Sequence, residues 1–159
     1  MRDRDEMVSP EQYLEDFAAG QVYRGSTRIT VDADAIKAFA GEFDPQPFHL
    51  DEVAARDSIF GGLAASGWHT AAMTMRLLTE GEFQVAGGLV GLGLKELKWP
   101  RPVRPGDELR VEVEILAVRE SQSRPEQGLV TTRTTTLNQH DEIVQEFVNT
   151  LIVPKHRRS

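Results

Sequence analysis

The segment from about Ser66 to Thr79 restricts the folds open to this chain more than any other feature of the sequence. Its pattern predicts a helix with apolar residues on every side, whereas a surface helix has one apolar face and one polar face. A helix of about 14 residues is roughly 21 Å long and, when apolar all round, is usually buried at the centre of a domain. The rest of the chain is therefore expected to surround it. The apolar residues are Trp68, Ala71, Ala72, Met73, Met75, Leu77 and Leu78.

The second half of the chain predicts the sheet that surrounds this helix. Residues 108–118 alternate strictly between apolar and polar side chains, which is typical of a strand with one buried face. The other strands are predicted over 88–99, 128–139 and 143–153, with turns at 100–107 and 140–142. Long hairpin-linked strands after one buried helix favour an α+β fold, a single hotdog domain in which an antiparallel sheet wraps around the central helix.

The ends of the chain are predicted to lie outside this domain. Ser9, Pro10 and Gln12 resemble a capping box with proline at the first helical position, so a short helix is predicted over 9–19, ending at Gly20. The predicted organisation is an N-terminal helical extension over 1–20, the hotdog domain over 21–154, and a basic, frayed tail over 155–159.

Two elements lead from the extension to the centre of the domain. A strand is predicted over 21–32, which is rich in β-branched and aromatic residues, with Gly25 as a bulge. Asp32 is then predicted to cap a helix that ends at Asp44, before Pro45. Asp51 is expected to cap a further short turn. The apolar face of the longer helix is predicted to contain Ile36, Phe39, Ala40 and Phe43.

Composition narrows the classes of function. The 159 residues have a net charge of −7, which argues against nucleic acid or an anionic membrane as the main partner. The absence of cysteine excludes disulfides, thiolate metal sites and cysteine nucleophiles. The charged N-terminus lacks the apolar run of a signal peptide, and no apolar stretch approaches the roughly 18 residues of a spanning helix. We therefore expect a cytoplasmic protein.

The stretch GEFDPQPFHLDEVAA, residues 41–55, places an aspartate and a histidine five positions apart beside two prolines. Pro45 and Pro47 are expected to prevent a helix here and to hold the backbone extended or turned. Asp44 and His49 on one rigid loop can then share a single water as an acid–base pair. Because Asp44 is predicted at a helix C-terminus, where the dipole disfavours an anion, we expect its pKa to be raised.

This stretch, followed by FGGLAASGWHTAAMTMRLL and GLKELKWPRPVRPGDELRVEVEI, resembles the MaoC-like dehydratases, the family of (R)-specific enoyl-CoA hydratases. The resemblance covers most of the chain from about residue 21. The family pattern is an aspartate, two residues, proline, one residue, histidine, and a small residue six positions further on. Asp44, Pro47, His49 and Ala55 match it. The resemblance implies that Asp44 and His49 are catalytic and that the backbone amide of Gly67 is the oxyanion donor.

Three departures from the family pattern leave the acid–base pair intact and bear on the acyl group that is accepted. Glu42-Phe43 replaces a pair of a small residue and glycine, Gln46 replaces an asparagine, and Ser66 precedes Gly67 where histidine is frequent. The expected substrate contacts are Gln46, Phe48, Ser66 and Trp68.

The resemblance implies a hydro-lyase that adds or removes water across the Cα=Cβ bond of an enoyl thioester, with (R) specificity. This chemistry needs an acid, a base and donors for the thioester oxygen, and the first turn of a buried helix offers unpaired amides. No cofactor is expected, since coenzyme A or acyl carrier protein is part of the substrate. Open sheet edges favour a homodimer or a higher homo-oligomer.

Two alternative functions stay open. A hotdog acyl thioesterase commonly uses a carboxylate on the central helix, and residues 68–78 contain none. A non-catalytic acyl-binding module would be expected to have lost Asp44 or His49, and both are present. The enzyme is therefore the favoured interpretation.

The remaining polar residues are less specific. We expect Ser66 to be a helix N-cap, His69 to be packed and hydrogen-bonded, and His140 and His156 to be solvated. No metal site is expected, because the four histidines include no i, i+4 pair. Four cations near a strand end are interpreted as solvated surface or, alternatively, as contacts for the phosphates of coenzyme A. They are Lys95, Lys98, Arg101 and Arg104.

Overall fold

A computed structural model describes residues 11–157, which form one six-stranded antiparallel sheet packed on a central helix. The strands are β1 (Val22–Arg24), β2 (Ile29–Thr30), β3 (Val90–Lys98), β4 (Glu108–Glu120), β5 (Gln127–Leu137) and β6 (Ile143–Pro154). Their order in the sheet is β1-β4-β5-β6-β3, and β2 also pairs with β4. The predicted α+β hotdog arrangement is confirmed, and the four long strands lie where the alternating patterns predicted them.

Four helices lie between β2 and β3, and they are α1 (Ala33–Phe43), α2 (Pro47–Leu50), α3 (Glu52–Arg56) and α4 (Gly67–Glu80). Three of them, α1, α3 and α4, start at a side-chain N-cap that the sequence shows. The Asp32 carboxylate accepts a hydrogen bond from the Ala35 amide at 2.7 Å. Asp51 accepts from the first amides of α3, and the Ser66 hydroxyl accepts from the Trp68 amide. Each cap satisfies a backbone donor that has no partner inside the helix. The Ser66 cap therefore fixes Gly67 as the first residue of α4.

The central helix is buried along one face only, which differs from the prediction that it is enclosed all round. Trp68 and Met75 are about half exposed in the single chain, so one sheet does not cover the whole circumference. The buried face includes two hydroxyl side chains, Thr70 and Thr74, which bond back to carbonyls one turn earlier. The buried residues of α4 are His69, Thr70, Met73, Thr74, Leu77 and Leu78.

The N-terminal segment is part of the domain core, and the helix predicted over 9–19 is wrong for the residues that the structure describes. They contain one 3-10 turn, Leu14–Asp16, whose Leu14 is buried. The Gln12 amide donates to the Gln84 carbonyl at 2.8 Å, and its carbonyl accepts from the Ala86 amide. Because these backbone groups pair with a distant loop, they are not available to a helix. Ser9 and Pro10 lie outside the described residues, as do the last two positions of the predicted tail.

The strand predicted over 21–32 is divided into β1 and β2, which both pair with β4. Gly25 follows β1 at a close approach to β4, where a Cβ atom would lie 3.1 Å from the Val111 carbonyl oxygen. The described part of the chain contains no helix with the length and apolar character needed to cross a bilayer.

Candidate active site

Asp44 and His49 meet at the point where α1 ends and α2 begins. Asp44 is the C-cap of α1, and its amide donates to the Ala40 carbonyl. Pro47 occupies the first position of α2, where its fixed φ suits a helix and its missing N–H costs no hydrogen bond. The expectation that the prolines prevent a helix here is therefore wrong: Pro47 starts one helical turn, and that turn carries His49.

The imidazole of His49 is held in one orientation and one tautomer. The residue is only 4% exposed, and Nδ1 lies 2.6 Å from the Ala64 carbonyl oxygen. A carbonyl oxygen can only accept, so Nδ1 carries a proton. Nε2 faces the Asp44 Oδ2 atom at 3.4 Å. This separation is longer than a normal N–H···O hydrogen bond, and one water oxygen can lie within hydrogen-bond distance of both atoms.

The Asp44 carboxylate is stabilised as an anion by two neutral donors. The Ser66 hydroxyl donates to Oδ2 at 2.7 Å, and the Gln46 side-chain amide donates to Oδ1 at 2.6 Å. The Ser66 hydrogen bond, followed by the Gln46 bond and the charge interaction with His49, holds the pKa of Asp44 below its usual value, although burial opposes this. The pKa expected from the helix dipole was raised, so that prediction is wrong. Two direct hydrogen bonds outweigh the diffuse field of one short helix.

The first turn of α4 forms the wall of the site beside this pair. Gly67 is its first residue, so its backbone amide has no acceptor within the helix. The indole of Trp99 lies directly against Gly67, and a Cβ atom there would be 2.6–2.8 Å from three of its ring carbons. Only glycine fits this position without a shift of the indole or of the helix. Gly67 therefore adds no side chain of its own that could cover its amide.

These groups line one cavity of about 520 Å³. The predicted site residues that line it are Asp44, His49, Gly67, Gln46, Phe48, Trp68 and Arg101. Ser66 is fully buried and contacts Asp44, so the structure places it behind the carboxylate and not against a ligand. The residues that the sequence pattern did not identify are Phe60, Ala65, Thr70, Trp99, Pro100, Pro102 and Val103. A tryptophan next to a proline-rich turn was the one available signal for them.

The four predicted cations are not equivalent. Arg101 lines the cavity and pairs with Glu142 at 3.0 Å. Arg104 binds carbonyl oxygens of the loop before α4, at Phe60, Gly62 (2.8 Å) and Leu63 (3.3 Å). Lys95 and Lys98 lie exposed on β3. Arg101 is the member of this group that combines exposure with a position at the cavity.

His69 is packed, as expected, but it is not fully hydrogen-bonded. Its ring stacks on Phe39, with the centroids 4.7 Å apart and the planes within 8°. Among the described residues, Nδ1 has no hydrogen-bond partner. Burial lowers the pKa of His69, so the ring favours its neutral form, which suits an apolar stack. His69 does not line the cavity.

One antiparallel sheet around a central helix, with an acid–base pair and a free helix start in one cavity, defines a hotdog domain with a candidate hydratase site. A model of the MaoC-like domain family matches residues 16–138, and the chain belongs to this family. A MaoC-like dehydratase from Rhodospirillum rubrum is 54% identical, with a TM-score of 0.89, and the match covers 92% of this chain and 99% of that one.

Two further relatives extend the comparison. The (R)-hydratase from A. caviae involved in PHA biosynthesis is 26% identical with a TM-score of 0.69, over 88% of this chain and 99% of that one. The uncharacterised protein YdeM of Bacillus subtilis is 37% identical over 133 residues, which cover 84% of this chain and 92% of its own. Family and relatives together support hydratase or dehydratase activity in general.

Proposed function

We propose that this protein is an enoyl thioester hydratase, or a 3-hydroxyacyl thioester dehydratase in the reverse direction, with (R) specificity. The observation that carries the proposal is the 3.4 Å approach of His49 Nε2 to Asp44 Oδ2 inside a cavity that the Gly67 amide also lines. The (R)-hydratase among the solved relatives supports the stereochemistry. The substrate is an acyl group on coenzyme A or acyl carrier protein, with no other cofactor.

The two side chains have different roles in this mechanism. Asp44, held as an anion, accepts a hydrogen bond from the water and orients it. His49 Nε2 removes a proton from this water as its oxygen bonds to Cβ. The electron pair of the double bond moves toward the thioester oxygen, where the Gly67 amide stabilises the charge. The protonated Nε2 then returns the proton to Cα, so hydroxyl and hydrogen add to one face and the enzyme is restored.

The position of the carboxylate favours this function over a thioesterase. In the cavity the carboxylate comes from the end of α1 and faces a histidine, and the part of α4 that lines the cavity supplies none. A water between an anion and an imidazole base is suited to addition to a double bond. The same activated water could also attack the thioester carbonyl and hydrolyse the substrate. The assay must therefore separate the two reactions.

The test is to add purified protein to crotonyl-CoA and to follow loss of the conjugated enoyl absorbance, with thiol release measured in parallel. Loss of absorbance without thiol release supports the hydratase. Thiol release alone would move the assignment to a thioesterase. If crotonyl-CoA and a panel of branched and dicarboxylic enoyl thioesters are all inert, the proposal is wrong.

Removing the Ser66 hydroxyl is expected to raise the pKa of Asp44. In Ser66→Ala the largest cause of the lowered Asp44 pKa is absent, so that pKa rises toward the usual value of about 3.9, and NMR titration of the Asp44 carboxyl carbon measures the change. Stability follows the same sign. The lowered Asp44 pKa stabilises the native state above the unfolded pKa, and this contribution is lost as pH falls through the folded pKa.

The matched control for this variant is Asp32→Ala, which removes the N-cap of α1. Both variants are expected to lose about 0.5–2 kcal/mol of stability through the missing cap. Only Ser66→Ala is expected to shift the Asp44 titration. An equal shift in both, or in neither, would contradict the role given to the Ser66 hydroxyl.

We also propose that the active form is a homodimer or a higher homo-oligomer that covers β3. This strand lies at the end of the sheet order, and its side chains Val90, Leu92 and Leu94 are about half exposed. Exposed apolar strands at a sheet edge are typical of surfaces that pair with another chain.

For the phosphates of the carrier, we propose Arg101 as the contact. It is the residue of the predicted basic group that is both exposed and part of the cavity wall.

The expected mass by light scattering is at least twice the 17.7 kDa of one chain. Leu92→Lys is expected to lower it to that of one chain, because the charge would be buried in the contact. Val53→Lys, which replaces an equally exposed apolar residue on α3, is the control and is expected to keep the wild-type mass. A wild-type mass of 17.7 kDa would exclude the oligomer.

A further inference from the structure

The indole of Trp99 is held in place by a network of hydrogen-bonded side chains that does not include Asp44 or His49. Its Nε1–H donates to Gln145 Oε1 at 2.8 Å, and Gln145 is 0% exposed. Gln145 Nε2 lies 3.0 Å from Thr74 Oγ1, which in turn lies 2.7 Å from Thr136 Oγ1. The network thus joins the loop after β3 to β6, α4 and β5.

The direction of each hydrogen bond follows from the indole. An indole N–H only donates, so the amide oxygen of Gln145 must face Trp99 and its NH₂ group must face Thr74. Thr74 accepts from Gln145 and donates to the Thr70 carbonyl at 2.8 Å, which leaves Thr136 as a donor. If the indole rotated away, a buried amide oxygen would lose its partner, and this disfavours the rotation. Trp99 is therefore a fixed wall of the cavity and not a gate.

We infer that Trp99 is a specificity-determining residue that limits the length of the acyl chain, and that Gln145 is the positioning residue that holds it. The inference rests on the proposed function. The indole packs on the side of Gly67 where a Cβ atom would be, next to the amide proposed to bind the thioester oxygen, and it lines an apolar part of the cavity with Trp68 and Val103. Chain atoms that extend from the thioester in this direction meet the indole, so wild type selects short acyl groups.

The test compares kcat/KM for trans-2-enoyl-CoA substrates with four and with eight carbons in wild type, Trp99→Ala and Gln145→Leu. Both variants are expected to raise the eight-to-four ratio by about tenfold or more, since added methylenes in an apolar pocket change kcat/KM by such factors. Gln145 does not line the cavity. A changed ratio in Gln145→Leu therefore reports the position of the indole and not a lost substrate contact, and this variant keeps the inference testable if Trp99→Ala does not fold.

Thr136→Val is the matched control. It also removes a polar group of this network, but the Thr136 hydroxyl makes no hydrogen bond to the indole. Its ratio is expected to equal that of wild type. An unchanged ratio in folded Gln145→Leu, or an equal change in Thr136→Val, would overturn the inference while hydration itself remains.

A binding measurement separates this inference from the proposed function. Butyryl-CoA and octanoyl-CoA cannot be hydrated, and calorimetry gives their affinities for the same variants. If wild type hydrates no enoyl thioester but the variants gain affinity for octanoyl-CoA over butyryl-CoA, the proposed function fails and the role of Trp99 stands. If neither compound binds to any variant and no hydration occurs, both fail.

Discussion

Replacing Asp44 with asparagine is expected to lower kcat for hydration by about 10²- to 10⁴-fold, the range that a positioned acid–base group contributes. The amide keeps the size of the carboxylate and can still accept from Ser66 through its oxygen, but it has no charge to orient the water or to stabilise the protonated imidazole. The measurement is the initial rate of enoyl absorbance loss, with the fold checked by circular dichroism.

His49→Gln is expected to cause a loss of similar size, because it removes the group that carries the proton between water and Cα. The two losses are not expected to add in the double variant, since both residues act on one water. His140→Gln is the control: it makes the same change in a turn between β5 and β6 and is expected to keep wild-type rates. If either catalytic variant retains full activity while folded, the acid–base assignment is wrong.

Gly67→Ala is expected to impair both activity and stability. The added methyl group would lie 2.6 Å from an indole carbon of Trp99, so the indole or the first turn of α4 must move. Such overpacking typically costs about 1–3 kcal/mol of stability. Displacement of the Gly67 amide is expected to lower kcat by about 10²- to 10³-fold, the cost of losing one oxyanion donor. Thermal unfolding and the hydration assay measure the two effects.

The control for this glycine is Gly41→Ala, inside α1. A Cβ atom at Gly41 would meet only a Leu50 methyl carbon, at 4.0 Å, which is an ordinary contact. Alanine in a helix interior is more favourable than glycine by roughly 0.5–1 kcal/mol, so this variant is expected to be slightly more stable and fully active. If Gly67→Ala behaves like Gly41→Ala, the packing of the indole does not restrict the helix start.

The elements that were predictable from the sequence are those set by local chemistry. Asp32 and Ser66 are polar caps directly before apolar periodic segments, and they place the starts of α1 and α4 where the structure has them. The strict alternation of 108–118 gives β4 and its buried face. Both features depend on neighbours within a few residues, which a sequence displays directly.

The elements that were not predictable depend on contacts between distant segments. Ser66 follows the N-cap rule, yet the same hydroxyl also donates to a carboxylate 22 residues earlier, and this contact reverses the expected direction of the Asp44 pKa shift. The Gln12 backbone pairs with residues beyond α4, which overrides the local helix signal. Trp99 reaches the cavity because it bonds to Gln145, 46 residues further along the chain.

Arg104 has a consequence for the base itself. Its guanidinium group binds carbonyls of the loop directly before Ala64, and the Ala64 amide donates to the Phe48 carbonyl. The loop so held supplies the oxygen that keeps the His49 proton on Nδ1. An arginine 55 residues further along the chain thereby helps to decide which ring nitrogen of His49 presents its lone pair to the water, although it touches neither the imidazole nor the cavity.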